Sequence, residues 1–190
     1  MKQADAELAR RWAKNGDRDA MRQLYERHAE TVYAFARGMT GNGDTATEVL
    51  QETFLRAARS CGSFKGKSRF STWLMAIARS AAHDIGRARA RRDRDSRLGP
   101  PVRPVNNPLE NCSTSELAEQ VRQAVMRLPE RQRAAVTLCE LQELSLAEAA
   151  QILGWRVGRL KSTLFRAREN LKKELAGYCS EPSDVVWQET

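Results

Sequence analysis

The stretch 93–115, "DRDSRLGPPVRPVNNPLENCSTS", constrains this chain more than any other part of it. It holds four of the six prolines: Pro100, Pro101, Pro104 and Pro108. Proline fixes φ and removes a backbone donor, so neither a helix nor a central strand runs through such a cluster. The stretch also has little apolar content and no helical period. It predicts a flexible, partly extended linker. The chain of 190 residues is long enough for one or two domains. The proline stretch divides it into 92 residues before the linker and 75 after it.

Both flanking parts read as helical, and neither shows the alternation of a strand. From Asp19 the apolar positions Met21, Leu24, Tyr25, Val32, Phe35, Ala36 and Met39 recur at helical spacings, forming one stripe. Gly41-Asn42-Gly43 interrupts it, and Asp44 is the expected cap of the next helix. That helix carries Val49, Leu50, Thr53, Phe54 and Ala57 and ends near Gly62. A third runs through Trp73, Leu74, Ile77, Ala78, Ala81 and Ile85 into the arginine-rich "RARARRDR". After the linker, Ser113 and Glu116 have capping-box spacing, and so do Ser145 and Glu148. Pro129 suits the first turn of a helix through about Leu141. The expected architecture is all-α: two small helical domains joined by a flexible linker. The boundaries fall at 1–92, 93–115 and 116–176, with a tail at 177–190.

The net charge is +8, but it is not spread evenly. Residues 64–94 hold nine cations and two acids, and residues 156–173 hold seven cations and one acid. The rest of the chain is therefore mildly acidic. Two separate basic patches on an acidic body suggest two contacts with one polyanion, most simply nucleic acid. No apolar run is long enough for a membrane span, and the charged N-terminus lacks a signal core, so a cytoplasmic location is expected. Cys61, Cys112, Cys139 and Cys179 lie far apart and form no metal-binding spacing. They read as thiols in a reducing compartment. No nucleophile–base pair or phosphate loop is readable, so neither an enzyme nor a bound cofactor or metal is expected.

The first basic patch opens with "FKGKSRFSTW". Aromatic residues and cations together suit single-stranded nucleic acid, because cations follow phosphates and aromatic faces stack on bases. Here Phe70, Trp73 and Leu74 continue the apolar stripe of Ile77 and Ala81, so they read mainly as core. The part left for DNA is the loop Lys65-Gly66-Lys67-Ser68-Arg69. The second patch lies in "LAEAAQILGWRVGRLKSTLFRAREN". A short capped helix, a glycine at the turn and a second, cation-rich helix make a helix-turn-helix. Ala150 allows close approach, Gly154 permits positive φ, and Leu153, Leu160 and Leu164 join the two helices. The second helix then enters a major groove with its N-terminal residues at base edges. Arg156, Arg159, Lys161, Ser162, Thr163, Arg166 and Arg168 lie at or near that helix, and those on its outer face are the candidate contacts.

These two segments, in this order, resemble bacterial sigma factors. "LPERQRAAVTLCELQELSLAEAAQILGWRVGRLKSTLFRAREN" resembles their C-terminal promoter-binding domain. "LYERHAETVYAFARGMTGNGDTATEVLQETFLRAAR", continuing to "FKGKSRFSTWLMAIARSAAHDIGRARAR", resembles their core-binding and −10-recognition domain. Two such domains joined by a short linker resemble the extracytoplasmic-function (ECF) subfamily. The resemblance implies a dissociable subunit of core RNA polymerase that recognises promoter DNA and promotes strand opening. Glu48, Gln51 and Glu52 match the polymerase-binding motif. Lys65, Lys67, Ser68, Arg69, Arg79, Ser80, His83 and Arg87 fall in the −10-recognition part. Arg156, Arg159, Lys161, Ser162, Thr163 and Arg166 fall in the −35-recognition part. An inhibiting anti-sigma partner is implied by analogy, and direct membrane insertion is not.

The chain departs from the family pattern in places. It reads "RVGRLKSTL" where "PVGTVKSRL" is common, which brings in Arg156, Arg159 and Thr163. Trp155 replaces a smaller apolar residue at the turn, and Ser80 stands where asparagine is common. The competing reading is a stand-alone helix-turn-helix regulator. Such a protein would carry a ligand-binding or dimerisation domain in its N-terminal half.

Overall fold

The computed structural model describes residues 2–96 and 116–176. The prolines of the linker, the capping serine Ser113, Cys112, Cys179 and the tail lie outside the described residues. The described part contains α1 (Lys2–Asn15), α2 (Arg18–Thr40), α3 (Gly43–Ser60) and α4 (Phe70–Ser96) before the linker. After it come α5 (Glu116–Arg127), α6 (Glu130–Val136), α7 (Leu146–Leu153) and α8 (Val157–Leu175).

Helices α2, α3 and α4 pack their apolar stripes together. Leu24, Val32, Phe35, Val49 and Leu74 are completely or almost completely buried between them. The sequence expectation missed α1, whose apolar content is thin. It docks through Leu8, Ala9 and the half-buried Trp12. Its buried Asp5 receives Arg27 at 2.8 Å and faces His28 at 3.0 Å on α2. Gly41 takes the left-handed conformation (φ 68°) that ends α2. The cap of α3 is Asn42, not Asp44: its side chain accepts the Thr45 amide at 2.9 Å. Asp44 sits in the first turn, where its charge still favours the helix N-terminus. Phe64, Phe70 and Trp73 form a mutual aromatic contact, each pair of ring centroids 5.5 Å apart. Phe70 and Leu74 are buried, so the apolar part of "FKGKSRFSTW" is core.

In the second half, Pro129 stands just before α6 as its cap and offers no side-chain hydrogen bond. The helix then widens over Thr137–Leu141 into a π turn, with the Gln142 amide reaching back to the Thr137 carbonyl. The capping box of α7 forms: the Ser145 hydroxyl accepts the Glu148 amide, and the Glu148 carboxylate reaches the Ser145 amide. Gly154 takes φ 67° at the turn, and Leu153, Leu160 and Leu164 are buried between α7 and α8.

The two halves share one hydrophobic cluster. One set of polar contacts between them lies at the carboxyl end of α2. The last carbonyls of a helix have no partner within it. Here Arg133 of α6 donates to the Met39 carbonyl at 2.8 Å, and Arg122 of α5 donates to the Gly41 carbonyl at 2.7 Å. Arg37 donates to the Gly41 carbonyl as well. Burial pulls the Arg133 guanidinium below its ordinary value, and Arg122 holds the Glu119 carboxyl down at about 2. Beside these contacts α2 meets the π turn at van der Waals range. A Cβ added at Gly38 would lie 2.6 Å from the Thr137 side chain, which is fully buried.

Gly38→Ala must therefore displace the π turn or separate the halves. It is expected to speed proteolysis within the linker and to enlarge the radius measured by X-ray scattering. Unchanged values for both would mean that this contact does not hold the halves together. Trp73→Ala removes one wall of the aromatic cluster and is expected to cost about 2–4 kcal/mol in denaturant unfolding, somewhat less than a fully buried tryptophan. A wild-type midpoint would show Trp73 to be dispensable for packing.

Candidate nucleic-acid interface

Three surfaces carry the residues singled out from the sequence. The first lies between α3 and α4, where an open cleft of about 350 Å³ brings Glu48, Gln51 and Glu52 together. Helical spacing puts these three on the face of α3 away from Val49 and Thr53, so local geometry alone groups them. The two carboxylates are paired from both helices. Arg89 meets Glu48 at 2.9 Å. Arg56 bridges Glu52 and Asp84, each at 2.7 Å, and its guanidinium is held above its ordinary value by these two acids, Glu52 first. Leu55, about half exposed, supplies apolar surface at the cleft. Sequence reasoning missed Leu55, Arg56, Asp84 and Arg89. The only readable signal was the spacing of Glu52 and Arg56, four residues apart on one helix.

The second surface is the loop before α4 and the outer side of that helix. Lys65 and Lys67 are exposed, and Gly66 adopts φ 69° at the tip. Ser68 is half-buried. Arg69 is not simply presented to solvent: it meets Glu148 of α7 at 2.6 Å. His83 lies one helical turn beyond Arg79 and meets Glu130 of α6, Nδ1 to Oε1, at 2.6 Å. Arg79 is half-buried, with its Nε buried and without a hydrogen-bond partner. Ser80 is exposed and accepts a long hydrogen bond from Arg56 at 3.4 Å. Arg87 is exposed further along. The residues thus share one side of the first half, but the second half covers part of it.

The third surface is the exposed side of α8. Arg156, Arg159, Lys161, Ser162 and Arg166 are exposed, and Thr163 is half-buried. Arg156 occupies the cap position without capping through its side chain, so the first amides of α8 receive no side-chain cap. The Ser162 and Thr163 hydroxyls both donate to the Arg159 carbonyl, at 3.0 and 2.8 Å. In this arrangement they face a partner as acceptors. Arg168 turns inward to Glu140 at 2.8 Å and is not on the outer face. Phe165 was missed by the sequence reading. It is 68% exposed on the same cationic surface. Its signal was a large apolar residue one position off the buried stripe of Leu164 and Leu171.

Cys61 is buried and Cys139 is half-buried in the π turn. Burial pushes both thiols up, Cys139 to about 11 with a further push from Glu140. A thiol so far above its ordinary value is a poor nucleophile at neutral pH. Among the described residues no three His, Cys, Asp or Glu side chains gather as a metal site. No helix among them is long and apolar enough to cross a membrane. Brief alkylation at pH 7.5 is therefore expected to leave Cys61 and Cys139 unmodified until denaturant is added, as read by peptide mass spectrometry. Rapid labelling of either in the folded protein would contradict this burial.

The family described as Sigma-70 region 2 matches residues 24–94, and that described as Sigma-70, region 4 matches residues 109–171. The chain is 36% identical over 164 residues to the ECF RNA polymerase sigma factor SigM of Mycobacterium tuberculosis, covering 86% of this chain and 80% of the relative. It is 33% identical over 170 residues to the ECF RNA polymerase sigma-E factor of Haemophilus influenzae, covering 84% and 89%. Among solved structures it resembles the sigma factor RpoE of Bartonella quintana, crystallised with the anti-sigma factor NepR. There the TM-score is 0.67 at 27% identity, with 82% of this chain and 96% of that one covered.

Proposed function

The chain belongs to the ECF sigma-factor family, and from that premise we propose how its three surfaces divide the work of transcription initiation. The protein binds core RNA polymerase and recognises promoter DNA. The cleft of Glu48, Gln51 and Glu52 takes the polymerase, through carboxylates that Arg56 and Arg89 already hold in place. The loop Lys65–Arg69, with Arg79, Ser80, His83 and Arg87, takes the −10 element. Arg156, Arg159, Lys161, Ser162, Thr163 and Arg166 take the −35 element, and Phe165 adds an apolar face suited to a thymine methyl. The chain is thereby divided into 1–92 for polymerase and −10 DNA and 116–176 for −35 DNA, with 93–115 between them, of which 93–96 still belong to α4. Strand opening draws on binding energy, with a −10 base captured out of the stack at a cost of about a few kcal/mol. No catalytic step is assigned to the chain. Its working compartment is the cytoplasm, where polymerase and promoter are.

The observation that supports this reading is that two basic surfaces, one at α4 and one on α8, accompany one acid-lined cleft between α3 and α4. A stand-alone regulator is not favoured, because the N-terminal half matches sigma-70 region 2 and not a ligand-binding or dimerisation domain. The pairing of Arg69 with Glu148 and of His83 with Glu130 adds a condition. Two acids occupy positions that DNA phosphates would need. The two promoter elements lie about 25 base pairs apart, roughly 85 Å at about 3.4 Å per pair. Helices α4 and α7 are packed together, and separating them would lengthen the reach of the two surfaces. The 19 residues of 97–115 span at most about 63–68 Å when extended. Polymerase binding would open the arrangement, and an anti-sigma partner would oppose it.

Run-off transcription with core polymerase tests the reading. Wild-type protein is expected to give a promoter-specific transcript. Lys67→Ala should keep the wild-type melting temperature yet lower the yield of open complexes about three- to tenfold, measured by permanganate reactivity at −10. A tight complex with duplex promoter in the absence of core, and no transcript in its presence, would favour the stand-alone regulator.

A further inference from the structure

Trp155 is the residue of the turn that the division above leaves without a role. Its backbone is pinned: the Trp155 amide donates to the Ala150 carbonyl at 2.9 Å, closing the turn around the left-handed Gly154. This is the closure in which the residue after the glycine returns an apolar side chain to the preceding helix. One part of the indole accordingly packs on the core cluster. Its ring face is used for something else. The Arg159 guanidinium lies over it, 4.7 Å from the ring centroid. That is within cation–π range. Arg159 itself is exposed on the first turn of α8, and among the described residues it has no ion-pair partner.

We propose that Trp155 is a positioning residue, which holds Arg159 as a planar fork for a guanine of the −35 element. The proposal rests on the sigma-factor reading of this helix. Stacking on a ring satisfies the face of a guanidinium and leaves the N–H donors in its plane free. Those donors match the O6 and N7 acceptors of guanine in the major groove. The N-terminal turn of the second helix is where base edges are read. An unsupported arginine would lose rotamer freedom on binding. Here the indole removes much of that freedom beforehand, and the core packing of the indole makes the platform rigid. A tryptophan that merely filled the core would not need its face under a cation at the reading end of the helix. A lysine at 159 would stack less well and could not present a fork.

The test is a selection of randomised −35 sequences by the reconstituted holoenzyme, comparing full-length wild type, Arg159→Ala, Trp155→Phe and Trp155→Leu. Leucine keeps apolar bulk in the turn, and phenylalanine keeps an aromatic face. Wild type is expected to specify a G·C pair that Arg159→Ala no longer specifies. Trp155→Leu should relax the preference at that same pair about three- to tenfold, with other positions unchanged, while Trp155→Phe retains most of it. If Trp155→Leu kept the wild-type preference, the platform role would be refuted. If Arg159→Ala weakened all sequences alike and lowered the salt dependence by about one phosphate contact, the guanine assignment would be refuted. A wild-type holoenzyme that enriched no −35 sequence would instead overturn the sigma-factor reading itself.

Discussion

The carboxyl end of α2 is the constraint on which the arrangement of this protein depends. A helix end offers carbonyls with no intrahelical partner and a partial negative charge. In this chain the need is met from the other half, by Arg133 on Met39 and Arg122 on Gly41. A guanidinium half-buried in that position would be costly without such acceptors. The two requirements largely meet, although the buried Arg133 Nε keeps no partner, and they bring α5 and α6 against α2. Gly38 then allows the π turn to close on the helix, and the fully buried Thr137 seals the contact. The consequence is geometric: with α6 docked on α2, α7 falls against α4.

That placement matters for function. The basic loop before α4 and the first helix of the helix-turn-helix become neighbours. Arg69 finds Glu148, and His83 finds Glu130. Glu148 has two tasks, since the carboxylate that meets Arg69 also completes the capping box of α7. The exposed side of α8 stays outside the contact. The cleft of Glu48, Gln51 and Glu52 between α3 and α4 stays open too. The acid-lined cleft is thus accessible while Arg69 and His83 are engaged internally.

Several features were legible in the sequence because they are local. The apolar stripes of α2, α3 and α8, the capping box at Ser145 and the turn at Gly154 depend on residues within a few positions of one another. So does the grouping of Glu48, Gln51 and Glu52 on one face. The errors were local as well, but subtler. Asn42 and Asp44 are both competent caps, and the choice between them depends on which residue adopts the extended backbone. The first helix was hidden because it buries only a few apolar groups and draws on Asp5 meeting Arg27 and His28, far along the chain. The widening at Thr137–Leu141 has no marker in composition.

By itself, the sequence determined an all-helical chain interrupted by a proline-rich stretch, two cationic segments and a helix-turn-helix, because periodicity, caps and charge runs are properties of neighbouring residues. Only the tertiary structure decided which cations are free to meet DNA. Arg168 turned inward to Glu140, Arg69 and His83 were matched to acids of the other half, and Arg159 came to lie on an indole. A charge has the same sign wherever it stands, but its partner is whatever the packing of apolar faces brings within a few ångströms. That packing joins residues distant in sequence, and no local pattern records it.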